Sequence, residues 1–112
     1  MKKIEMIIRP ENLEDLVDEL DKCGVNGMTV YNVLGCGKQK GAKEMYRGTE
    51  ISIKLLHKVK VEVIVLDDMV EKVILVTKRI LQTGKVGDGK IFVCDVLEGV
   101  RIRTGERGAE VV

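Results

Sequence analysis

Residues Lys58-Val59-Lys60-Val61-Glu62-Val63-Ile64-Val65 alternate between valine and a second, mostly charged set. Successive side chains of a strand point to opposite faces, so this is a long strand with a valine face for the core and a face bearing Lys58, Lys60, Glu62 and Ile64. Working forward, Asp68 and Glu71 have the spacing of a capping box. Val70, Val73, Ile74, Thr77, Ile80 and Leu81 then fall on one side of a helix that ends before Gly84. A polar loop over 82–90 leads into a buried strand from Ile91 to Val96, and Arg101 to Gly108 reads as a polar tail.

Working backward, residues 37–50 hold three glycines, six charges and no sustained period, so nothing there favours a fixed local structure. A loop of that length inside a compact domain is usually functional or mobile. Before it, Met28 to Leu34 reads as a strand closed by Gly35 and Gly37. Leu13, Leu16, Val17, Leu20 and Cys23 recur at helical spacing from Asn12 and stop at Gly24. Ile4, Met6 and Ile8 share one face of a first strand over 2–9 that Pro10 stops. The order βαββαβ is the α+β, ferredoxin-like split motif, a four-stranded antiparallel sheet with both helices on one face. The other face is solvated or meets other subunits, and the valine content favours subunits, so an oligomer is expected.

The 112 residues make one domain, 1–112, long enough for a core without disulfides or a structural metal. Aromatic residues are only 3%, so branched aliphatics must build that core. The 19 basic and 18 acidic side chains nearly cancel, which argues against a dedicated nucleic-acid binder. Cys23, Cys36 and Cys94 form no CxxC pair, fit a reducing compartment and are expected to be buried or half-buried. The start, Met1-Lys2-Lys3-Ile4-Glu5, lacks the apolar run of a signal peptide and no apolar stretch spans a membrane, so a cytoplasmic location is expected.

Gly84-Lys85-Val86-Gly87-Asp88-Gly89-Lys90-Ile91 almost satisfies the P-loop pattern. However, Ile91 stands where a hydroxyl must bind magnesium, and the order is helix-loop-strand rather than strand-loop-helix. Its chemistry survives: glycines let backbone N–H groups approach a phosphate, and Lys90 adds charge; a plain Gly-rich turn is the alternative. Gly35-Cys36-Gly37-Lys38-Gln39 is half a dinucleotide fingerprint without the helix that must follow. In an extended chain Arg101 and Arg103 lie on one side, where their planar forks suit phosphate oxygens. Lys38, Lys90, Arg101 and Arg103 become informative only if they converge. His57, the sole histidine, has no nucleophile at a recognisable spacing and reads as a loop or strand-start residue. Asp67, Asp68 and Glu71 read as helix-start acids. Anion binding is better supported than catalysis.

Gly35, Gly37, Gln39, Tyr46-Arg47-Gly48, Lys58-Val59-Lys60, the run from Thr83 to Val93 and Arg101-Ile102-Arg103-Thr104-Gly105-Glu106 together resemble the nitrogen-regulatory PII signal proteins of the GlnB/GlnK type. The resemblance covers essentially the whole chain. It implies a non-enzymatic homotrimer with nucleotide sites in the clefts between neighbours, each accepting ATP or ADP. It also implies a T-loop at about 37–55, a B-loop at 82–90 and a C-loop at about 102–109. By this resemblance Thr29, Glu62 and Ile64 lie against the adenosine. Gly37, Lys38, Gly87, Asp88, Gly89, Lys90 and Ile102 belong to the nucleotide site, the segment Gly87–Lys90 holding phosphates, and Arg101 and Arg103 reach it from the partner subunit. Gln39 coordinates magnesium, and 2-oxoglutarate is held by Gln39, Lys40, Gly41, Lys58 and Gly87. The metal shell links the two ligands, since 2-oxoglutarate completes it only when ATP is present.

The resemblance further implies that 2-oxoglutarate changes the T-loop shape that partners read, and that a partner preferring the other shape weakens its binding by the same factor. An ammonium transporter of the Amt type is the implied partner, touched by Tyr46, Arg47 and Gly48, with glutamine synthetase another candidate and the membrane met only through the transporter. Three positions depart from the family pattern. Ile51 replaces the uridylylated tyrosine of many bacterial members and has no hydroxyl. Lys38 replaces arginine and loses the planar fork. His57 replaces a frequent proline. Two narrower readings are a nucleotide-only regulator without 2-oxoglutarate and a slow ATPase. An RNA-binding domain shares the element order, but recognition there stacks bases on strand aromatics, and only Phe92 is available.

Overall fold

The computed structural model describes residues 1–36, 44–46, 49–51 and 55–112, and for 44–46 and 49–51 the strand pairing alone. The order is β1 (Lys2–Ile8), α1 (Leu13–Lys22), β2 (Thr29–Gly35), β3 (Glu44–Tyr46), β4 (Thr49–Ile51), β5 (Leu56–Val65), α2 (Val70–Leu81) and β6 (Lys90–Asp95). Four strands form one sheet in the order β2-β5-β1-β6, every neighbour antiparallel, while β3 and β4 pair separately. This is the expected βαββαβ ferredoxin-like frame with a two-stranded ribbon inserted between β2 and β5.

Register explains the core. Ile4 pairs with Val63 and Val93, Met6 with Val61 and Ile91, and Ile8 with Val59, which puts these residues on the face that both helices cover. Leu16 and Leu20 of α1 and Val73, Val76, Thr77 and Leu81 of α2 close that layer. Ile4, Met6, Leu16, Leu20, Val61 and Val73 are 0% exposed, so the aliphatic core replaces the missing aromatic one. The helices do not reach β2, whose Val30 and Leu34 share the helix-side face with Val61 and Val59 by register yet stay exposed.

Several expectations change. The strict period of two sends Val59, Val61, Val63 and Val65 all to the helix side, so β5 offers no valine to the open face. That face is instead a charged lattice, with Lys3 3.1 Å from Glu5 and Lys60 3.5 Å from Glu62. The capping box does not form: Asp67–Met69 is a tight 3-10 turn, the helix starts at Val70, and its cap makes no side-chain hydrogen bond. Asp68 is spent inside that turn. Cys23 is half-buried, but Cys36 and Cys94 are exposed, because Cys36 follows the end of β2 and Cys94 pairs with Lys3 on the open face. The loop expected to lack local structure contains the β3–β4 ribbon, in which Glu44 pairs with Ile51, Met45 with Glu50 and Tyr46 with Thr49. Met45, Tyr46, Thr49 and Ile51 suit strands, a preference masked by the surrounding glycines and charges. The polar tail folds back through a bridge between Val100 and Arg107 and a 3-10 turn over Gly108–Val111.

Candidate functional site

The open face bears candidate residues at both ends of the same strands. β2 runs from Thr29, opposite Glu62, to Gly35, opposite Leu56. Six residues of strand rise separate those ends by roughly 20 Å. At the Gly35 end, the 82–89 loop crosses from α2 to β6 and closes a cleft of about 660 Å³ lined by Ile7, Gly35, Lys58, Gly87, Gly89 and Lys90 among others. The Lys58 ammonium donates to the Gly87 carbonyl at 3.2 Å, which joins the start of β5 to the glycine loop. At the Thr29 end, a second cleft of about 680 Å³ is lined by Thr29, Glu62, Ile64, Arg101 and Val112 among others. Among the described residues the two clefts share no lining residue.

The glycine loop is built around one carboxylate. Asp88 accepts from the Thr83 N–H at 2.7 Å, the Gly84 N–H at 2.9 Å, the Thr83 hydroxyl and the Arg9 guanidinium at 2.9 Å. These donors hold its carboxyl far below the usual carboxylate range, the Thr83 hydroxyl contributing most. Asp88 therefore shapes the loop and is not free to act as a base. Gly84, Gly87 and Gly89 have φ of +82°, +103° and +106°, values that side chains rarely adopt. Among the described residues the N–H groups of Gly87, Asp88 and Gly89 donate to no acceptor, and Lys90 is exposed beside them. Free N–H groups with a lysine at each side form an anion cradle.

The Asp88 contacts have a pH consequence. A carboxyl depressed in the folded state stabilises the fold fully above its unfolded pKa, and that contribution is lost as the pH falls below about 4 toward the folded value. The difference in melting temperature between the natural chain and Asp88→Asn is expected to be largest near neutrality and to shrink in acid. A difference that stays constant from neutrality to acid would contradict this role.

At the other cleft, the Tyr31 hydroxyl donates to Glu62 at 3.0 Å and the Lys60 ammonium stands 4.6 Å from the Tyr31 ring centre. The Glu62 carboxylate raises the Tyr31 pKa by stabilising the protonated phenol. Arg101 and Arg103 are not in an extended segment: residues 102–104 form a turn, with the Gly105 N–H on the Arg101 carbonyl at 2.7 Å. The two-residue period therefore does not align them. Arg101 donates to the Glu110 carbonyl at 3.0 Å and lies 3.6 Å from Glu106, whereas Arg103 and Ile102 are exposed. Gly37, Lys38, Gln39, Lys40, Gly41, Arg47 and Gly48 lie outside the described residues, and Tyr46 is described only as part of β3.

Sequence reasoning missed Arg9 and Thr83. Arg9 gives no signal, being one more charged residue at a strand end before proline. Thr83 does: Thr83-Gly84 five residues ahead of Asp88-Gly89 is a pair of turn signals around one acceptor.

A profile of the family described as "Nitrogen regulatory protein P-II" matches residues 1–106. The "Nitrogen regulatory protein P-II" of Bradyrhizobium diazoefficiens is 47% identical over 112 residues, covering 100% of both chains. That of Klebsiella oxytoca is 52% identical over 106 residues, 95% of each chain. Among solved structures, "Structure of B. subtilis GlnK" is similar with a TM-score of 0.83 at 44% identity, covering 99% of this chain and 97% of that one. An ATP complex of B. subtilis GlnK gives 0.83 at 40% identity, with 99% and 94% covered. By sequence over nearly its full length and by fold, this chain belongs to the nitrogen regulatory protein P-II family.

Proposed function

We propose that the chain is a non-enzymatic signal protein that senses ATP, ADP and 2-oxoglutarate and reports them to partners through the segment between β2 and β5. The observation behind this reading is the Lys58–Gly87 contact at 3.2 Å, which ties the base of that segment to the anion cradle. A ligand arriving at the cradle must therefore be felt at the start of β5. The ATP complex of B. subtilis GlnK supports a nucleotide as one such ligand.

The two clefts suggest how the nucleotide is shared. The two sets of residues line different clefts, whose lining residues Lys58 and Glu62 are four apart on β5, roughly 13 Å of strand, and the family resemblance implies nucleotide sites between neighbouring copies. We therefore assign Thr29, Glu62, Ile64 and Arg101 of one copy to the nucleoside side and the Gly87–Lys90 cradle of the next copy to the phosphates, in a homotrimer. This grouping puts Arg101 with the adenosine residues of its own chain, whereas the sequence resemblance separates them.

Magnesium fits the phosphates better than a protein cage. Among the described residues no group of three acidic, histidine or cysteine side chains is placed to hold a metal. A hard cation that retains waters suits phosphate oxygens, the Gln39 amide and a keto acid together. Gln39, Lys40, Gly41 and Lys58 are the proposed 2-oxoglutarate residues, and Tyr46, Arg47 and Gly48 the proposed contact with an ammonium transporter or glutamine synthetase. Among the described residues no helix is long and apolar enough to cross a membrane, so a transporter would be met at its surface.

Isothermal titration tests this directly. MgATP is expected to bind alone, and 2-oxoglutarate only in its presence. No heat from MgATP at millimolar concentration ends the sensor reading, and MgATP binding without any 2-oxoglutarate response reduces the protein to a nucleotide-only regulator.

A further inference from the structure

We propose that Arg9 is a positioning residue that presets the 82–89 loop for polyphosphate, so that it controls selectivity between nucleotides by phosphate number. This rests on the nucleotide reading above. Arg9 immediately follows β1, and its guanidinium reaches across to the loop with both arms: one donates to the Asp88 carboxylate at 2.9 Å, the other to the Val86 carbonyl at 3.2 Å. The second arm lies 2.9 Å from where a side chain on Gly87 would begin, so the loop backbone is pressed against it. Gly87 sits between the two residues so held, and the N–H groups of Gly87, Asp88 and Gly89, which have no acceptor among the described residues, follow directly.

Charge separates Arg9 from the lysines. The Arg9 guanidinium is neutralised by Asp88 within a half-buried pair, with 23% and 21% of the two side chains exposed. It therefore adds little field for an incoming anion, while Lys58 and Lys90 line the cleft. Its contribution is geometric. Two planar donors fixing an acid and a carbonyl two residues apart define the orientation of the intervening peptide, which a single ammonium cannot do. A loop held in this way does not lose conformational freedom when phosphate binds, and that saving grows with the number of phosphates the loop must wrap.

Calorimetry with MgATP and with AMP on the natural chain, Arg9→Met and Arg9→Lys tests the assignment. Arg9→Met is expected to weaken MgATP about 10-fold to 100-fold, with AMP affected about twofold or less. Arg9→Lys, which keeps the Asp88 contact and loses the Val86 arm, is expected to fall between. Unchanged MgATP affinity in Arg9→Met overturns the proposal, and equal weakening of MgATP and AMP does so as well, because it reports general damage to the fold. If the natural chain binds no MgATP, the nucleotide reading itself fails and the proposal falls with it, a result distinct from the other two.

Discussion

Gly89→Ala is expected to destabilise the chain by on the order of 3–5 kcal/mol and to abolish the anion cradle. Two costs combine at this position. The backbone sits at φ +106°, and an added Cβ would lie 1.9 Å from the Ile7 carbonyl oxygen and 3.1 Å from its carbon. Neither atom can retreat, because β1 is a central strand paired with β5 through Ile7–Lys60 and with β6 through Ile7–Lys90. Relief requires opening the β1–β6 ladder where β6 begins, and the free N–H groups of the loop are lost with it. Gly84→Ala is the control: its φ is +82°, but nothing lies within 4 Å of the added carbon. That variant is expected to show backbone strain alone, about 1 kcal/mol. Urea midpoints of the two variants measure the contrast, and equal midpoints would show that the Ile7 contact yields more easily than this geometry allows.

Mixing two inactive variants is expected to regenerate binding. On the proposed trimeric reading, Lys90→Ala removes a charge from the cleft assigned to the phosphates and Arg101→Ala removes one from the cleft assigned to the nucleoside, and each is expected to weaken MgATP by about 10-fold to 100-fold. If, as proposed, one ligand is held between the glycine-loop cleft of one copy and the Thr29-end cleft of the next, neither variant alone offers both intact sets at any junction. After the two variants are unfolded together and refolded, a cyclic trimer containing both contains one junction at which an intact Lys90 cleft meets an intact Arg101 cleft. Titration should then show one site of natural affinity per mixed assembly and none in either unmixed sample. If mixing restores nothing, the ligand is held within one chain. On the same reading Arg101 must also exchange its Glu110 carbonyl and Glu106 partners for the ligand, so its variant should alter the tail over Gly108–Val111 as well.

The frame was legible because the fold needs only periodicity. Four strands, two helices and their order follow from where apolar residues recur at two, three and four, and the register then places Ile4, Met6 and Val61 together without further information. The lost features are those decided by contact between distant segments. Asp68 and Glu71 have capping-box spacing, yet the chain leaving β5 turns too tightly for it, and spacing cannot report that turn. Arg101 and Arg103 are two apart, but a Gly105 N–H closing on the Arg101 carbonyl curls the segment. Arg9 and Asp88 are 79 residues apart, and no local pattern joins them. Candidate site residues could be named from residue types and resemblance, but their placement in two clefts could not, because that placement depends on which end of a strand each residue occupies.

The contact of Tyr31 with Glu62 and Lys60 has a practical use. With no tryptophan and two tyrosines in the chain, and Tyr31 hydrogen-bonded to Glu62 of the Thr29-end cleft, ultraviolet emission of that ring offers an intrinsic optical gauge of the cleft. Swapping the other ring, Tyr46, for phenylalanine would isolate its signal, so occupancy could be followed in real time without attaching a dye.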